Sequence, residues 1–97
     1  MSRFMVVYVG PPTPPDASHE GWPAWFDKLQ DRLVDQGAPL ADGRALNGDG
    51  STGSAATCLN GYSIIQAEDI NEALGLVKDH PYLAQGRGYS IEAYLLP

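Results

Sequence analysis

The chain has 97 residues, a single-domain length (1–97) in which a small core leaves a thin stability margin, and its 43% hydrophobic and 19% charged residues give a globular balance. Twelve acidic residues against six basic ones set the formal net charge at −6, and the bases Arg3, Lys28, Arg32, Arg44, Lys78 and Arg87 are scattered. Nucleic-acid affinity rests on phosphate neutralisation, so no nucleic acid and no membrane surface is expected among the partners.

Residues 4–9 (FMVVYV) form a β-branched and aromatic run closed by Gly10 and a proline cluster. They read as a strand that is apolar on both faces. The run is too short for a signal-peptide core, and Cys58, the single cysteine, permits no internal disulfide. A cytoplasmic location is expected.

Trp22, Trp25, Phe26, Leu29 and Leu33 recur at helical spacing, which predicts a first helix over about 22–36, with Pro23 in its first turn and Gly37 just past its end. Whether 18–21 adds a turn is open. A weaker strand is expected over 40–46, then a flexible hairpin tip at 47–56 (NGDGSTGSAA), then a third strand over 57–67. Asp69 with Glu72 is close to a capping box and starts a second helix, with Ile70, Ala73, Leu74 and Val77 as its buried stripe and Pro81 as its stop. Gly86 and Gly88 lead into a last strand over 89–96, where Tyr89, Ile91, Ala93 and Leu95 alternate with Ser90, Glu92, Tyr94 and Leu96.

The order βαββαβ predicts an α+β, ferredoxin-like fold with a four-stranded antiparallel sheet and both helices on one face. The other face would stay apolar, and no third helix exists to cover it. A second copy of the chain is the expected cover. The result is a homodimer with a cavity between sheet and helices, open to an unidentified small molecule.

The stretch GYSIIQAEDINEALGLVKDHPYLA at 61–84, followed by GYSIE at 88–92, resembles the YCII-related family. The strand ending in Tyr8 and the Trp-bearing first helix extend the resemblance over nearly the whole chain apart from the Gly-rich loop. It is most similar to the DGPF-like branch, although the DGPF tetrapeptide is absent. The resemblance implies a dimeric α/β barrel. It also implies an active site built on a first-helix histidine paired with an aspartate near the end of the second helix. The matching positions here hold Trp25 and His80, so the pair is absent as such.

His80, at a helix end whose dipole favours the protonated ring, is the candidate proton carrier. The plainer reading is a cap on the last carbonyls of the second helix. Glu92, mid-strand, could pair with His80, Arg3 or Arg87 if it faces a buried side; the plainer reading is a solvated carboxylate. Tyr8, Trp25, Tyr62 and Tyr82 are candidates for lining a ligand pocket, against the competing reading of aromatic core. Trp22 and Tyr94 are further aromatic residues open to the same two readings. The Gly-rich loop lacks a Gly-Lys-Ser/Thr and a glutamate at the calcium-loop end, and reads as a hairpin tip or a flap over the cavity. His19 beside Glu20 has no ligand spacing, so no metal and no cofactor is expected, and Cys58 reads as a small buried or half-buried residue. Two functions follow: a small-molecule-binding homodimer without catalysis, or a cofactor-independent lyase or isomerase that uses His80.

Overall fold

The computed structural model of the chain describes residues 1–12 and 20–97. His19, the second half of the proline cluster and the start of the open 18–21 turn lie outside the described residues. The N-terminal run forms strand β1, Ser2–Val9, and Gly10 and Pro11 end it. Helix α1, Trp22–Leu29, opens with Pro23 in its first turn, where a missing N–H leaves nothing unpaired. A 3-10 turn, Gln30–Arg32, leads into β2, Leu33–Pro39. Strands β3, Arg44–Leu46, and β4, Thr52–Ser54, pair only with each other. Strand β5, Leu59–Ala67, precedes helix α2, Ile70–Val77. A second 3-10 turn, Pro81–Gln85, then delivers the chain to β6, Ser90–Leu96.

The main sheet has the order β2-β5-β1-β6, with every pairing antiparallel. This is the expected βαββαβ ferredoxin-like arrangement. Alternation along β1 sorts its residues: Phe4, Val6 and Tyr8 face the helices and are buried with Ile65, Ala67, Ala73 and Val77. Trp25 and Leu29 close this core from α1. Full burial of such side chains is worth about 1.5–3 kcal/mol each, which is what holds two short helices on the sheet.

The register assigns the other face as well. Val7 lies opposite Tyr62 and Glu92, and Met5 opposite Ile64 and Tyr94. Both helices lie on the far side of the sheet. On this face Tyr94 is 55% exposed and Leu96 37%, while Met5, Tyr62 and Ile64 are half-buried.

Several sequence expectations are corrected. The first helix ends at Leu29 rather than near Gln36, because Gln30 takes a φ of 53° and residues 33–39 form an edge strand on β5. Leu33 still packs against the core, but from a strand opposite Ile65. Only 44–46 of the strand expected over 40–46 is extended, and it belongs to the separate ribbon. Gly37 does not end a helix. It sits in an irregular stretch of β2 with φ 75°, where a Cβ would lie 1.8 Å from the Tyr62 carbonyl oxygen. The loop after β3 turns tightly, with the Ser51 N–H donating to Asp49 Oδ1 at 2.9 Å, and 52–54 pair back onto 44–46.

The Asp69 cap forms, since Asp69 Oδ1 accepts from the Glu72 N–H at 2.8 Å. Helix α2 stops earlier than Pro81. Of its expected stripe only Ala73 and Val77 are buried, while Ile70 and Leu74 are 41% and 44% exposed. Packed mainly on β5 and β6, α2 buries a narrow face. Cys58 is exposed rather than buried.

Candidate functional site

Tyr8, at the end of β1, is the floor of the site. Ser63 on β5 donates its only hydroxyl proton to the Gln36 carbonyl at 2.8 Å, so the 2.7 Å contact between Tyr8 and Ser63 must run from the phenol to Ser63 Oγ. Burial pushes the Tyr8 phenol up to about 12, and it stays neutral. Trp22 meets Tyr8 edge to face at 5.1 Å, and Phe26, one helical turn on, meets Trp22 at 6.2 Å. These three rings, with the 36–39 end of β2 and Asn60 to Tyr62 of β5, enclose a pocket of about 200 Å³. None of its described lining residues carries an Asp, Glu, Lys, Arg or His side chain.

His80 lies one layer behind this pocket. Its ring is 2% exposed and touches Tyr8 at 5.0 Å, Trp22 at 4.5 Å and Trp25 at 4.1 Å between ring centroids. Nδ1 accepts the Tyr82 N–H at 2.9 Å, so the neutral ring carries its proton on Nε2. That buried atom has no hydrogen-bond partner among the described residues. Desolvation lowers the His80 pKa from 6.5 to about 4, and the neighbouring Asp79 opposes this only weakly. Asp79 itself is turned outward and ion-paired with Lys28, which holds its carboxyl below the usual range. The expectation that the helix dipole would keep His80 near neutrality is overturned, because burial outweighs the dipole. The side chain caps the turn that follows, not the carbonyls of α2.

Glu92 is exposed on the opposite face of the sheet, where it accepts the Tyr94 hydroxyl at 2.5 Å. The structure does not bring His80 and Glu92 together. Of the four aromatic candidates, Tyr8 and Tyr62 border the pocket. Trp25 and Tyr82, 4% and 1% exposed, are core residues behind it. Tyr82 supports the wall indirectly, since its hydroxyl accepts from Asn60 Nδ2 at 2.8 Å.

Trp22, weighed from sequence as a pocket residue or core, borders the pocket, whereas Phe26, Gln36 and Asn60 were not anticipated there. The helical spacing of Phe26 carried a signal, read only as core packing. Gln36 and Asn60 carried none, because they meet only through the pairing of β2 with β5. Among the described residues no group of three or more metal-ligating side chains gathers and no helix is long and apolar enough to cross a membrane.

A family model, the YCII-related domain, matches residues 7–94. The chain belongs to the YCII-related family. No curated protein and no solved structure matches it. Within the matched span, the rings of Trp25 and His80 are in contact at 4.1 Å.

Proposed function

We propose that this YCII-related protein is a homodimer that binds a small organic molecule without transforming it. The observation that carries the reading is the pocket of about 200 Å³ between Tyr8, Trp22, Phe26 and the edge of β2 and β5. It is smaller than the roughly 300–1,000 Å³ of drug-sized sites, which suits a single-ring compound. The sheet face with half-buried Met5 and Ile64 and exposed Tyr94 and Leu96 supports the dimer, because apolar sheet surface of this kind seeks a partner. The single exposed Cys58 suits a reducing compartment, in keeping with the cytoplasm.

The test is a thermal-shift screen of single-ring compounds against wild type and Trp22→Ala. A ligand at a hundred times its Kd adds about 2.7 kcal/mol, a shift of several degrees. The wild type should show such a shift with at least one compound, and the variant should lose it. A screen without any stabilising compound would retire the binding reading. Light scattering checks the dimer separately, and a stable 10.4 kDa species at micromolar concentration would end that part.

The enzyme alternative, with His80 as proton carrier, has one observation in its favour: a buried Nε2–H without a described partner. Against it stand a pKa near 4, which makes the ring a weak base at neutral pH, and a sheet between His80 and Glu92.

A further inference from the structure

The hydrogen bonding of His80 keeps its ring neutral and ties it to the pocket. Nδ1 accepts the Tyr82 N–H at 2.9 Å, and Nε2 carries the ring proton, so a second proton must go to Nδ1. There it would set two donors face to face, and the bond that caps the Pro81–Gln85 turn would be lost. The charged ring therefore cannot keep its place.

Nothing around the ring replaces water for a charge. Tyr8 faces it from β1, the indoles of Trp22 and Trp25 from α1, and the Tyr82 backbone from the turn that follows. Burial pushes the Tyr8 and Tyr82 phenols up, so both are neutral in acid. Glu20, just ahead of α1, is exposed. Among the described residues Asp79 is the charged group that acts on His80, and its carboxylate is turned outward to Lys28. Two walls of the pocket rest on this ring, because Tyr8 and Trp22 meet His80 and also line the pocket. A third lining residue, Asn60, donates to the hydroxyl of Tyr82, the residue whose N–H His80 holds.

We propose that His80 is a pH-sensitive latch: protonation at Nδ1 breaks its bond to Tyr82, releases Tyr8, Trp22 and Asn60, and opens the pocket while the sheet and helices stay folded. The enclosed ring titrates at about 4 and a ring that water reaches at 6.5. The closed arrangement is therefore favoured above pH 6.5, and the open one gains as pH falls toward 4. Discounted for partial screening, that gain is roughly a hundredfold in the open-to-closed ratio. The latch needs no ligand, so it goes beyond the binding reading and does not fall with it.

Trp22 borders the pocket while Trp25 lies buried behind it, so the exposure of Trp22 reports the opening. In Trp25→Phe, acrylamide quenching of Trp22 fluorescence should rise severalfold between roughly pH 7 and pH 4.5, with the far-UV circular dichroism unchanged. His80→Asn in the same background keeps an acceptor for the Tyr82 N–H and cannot charge, so its quenching should stay flat. In the wild type, which does not depend on the fold of a variant, the Tyr82 amide should lose protection from hydrogen exchange with the midpoint of the His80 imidazole followed by NMR. Quenching or protection that stays constant while His80 titrates would mean that the charged ring is held in place by the aromatic faces, and would overturn the latch. A rise that persists in His80→Asn would assign the opening to another group. Loss of circular dichroism with the same midpoint would make the event global unfolding, and the latch would be wrong.

Discussion

The two faces of the main sheet are built from alternate residues of the same strands, yet they have opposite fates. Phe4, Val6 and Tyr8 of β1 are sealed by α1 and α2, and the polar atoms that enter with them are largely paired internally, as in the chain from Tyr8 through Ser63 to the Gln36 carbonyl. Met5, Val7 and their neighbours Ile64 and Tyr94 meet no helix of their own chain. The comparison teaches that apolar character alone does not define a core: one face is finished by local helices, and the other carries exposed Tyr94 and Leu96.

The largest effect on folding should come from the sealed face. Tyr8→Ala removes a buried ring that touches Trp22, His80 and Tyr82, and should cost about 3–5 kcal/mol in urea denaturation. A loss below 1 kcal/mol would mean that the two faces are less distinct than their register indicates.

Acid should act on the same face. His80 titrates near 4 in the fold against 6.5 in the open chain, so the neutral ring favours folding above pH 6.5 and that contribution is lost as pH falls toward 4. Discounted for partial screening, the loss is about 2–3 kcal/mol. Lys28 and Arg32 hold the Asp79 and Glu72 carboxyls below their ordinary range, so these ion pairs also lose stabilisation in acid as the carboxyls protonate. His80→Asn, which keeps an acceptor for the Tyr82 N–H, should flatten stability between pH 6.5 and 4. An unchanged pH profile in that variant would assign the acid sensitivity elsewhere.

Gly37→Ala should cost about 1–3 kcal/mol, because the position combines a φ of 75° with a backbone approach that leaves no room for a Cβ. Its melting temperature should fall, and ligand affinity with it, since Gly37 is part of the pocket wall. Asp69→Ala removes only the α2 cap and should cost about 1 kcal/mol, leaving the pocket intact.

The open face should give the smallest effect on the isolated subunit and the clearest effect on assembly. Tyr94→Lys should leave the subunit folded by circular dichroism but shift light scattering to the monomer. The wild-type melting temperature should rise with protein concentration, and the variant's should not. A variant that stays dimeric would place the interface elsewhere.

Much of the architecture was legible because it is locally encoded. The β-branched run of β1, the Asp69–Glu72 cap and the alternation of β6 each carry their signal within a few residues. The boundary near Leu29 was not legible, since Leu33 satisfies the core equally as the next turn of a helix or as a strand residue opposite Ile65. Of the candidate site, Tyr8 and Tyr62 could be named from sequence as pocket residues, whereas Gln36 and Asn60 could not, because an amide in a linear sequence does not show which strand it will meet.

By itself the sequence determined a βαββαβ domain of the YCII-related family with an apolar second sheet face, because strand periodicity, capping and turn chemistry are short-range properties. Only the tertiary structure decided that residues 33–39 join β5, that His80 is enclosed by Tyr8, Trp22 and Trp25 and loses its basicity, and that Glu92 lies across the sheet from it. Those outcomes depend on pairing and burial between distant segments, where the free energy of removing a group from water outweighs any preference the local sequence expresses.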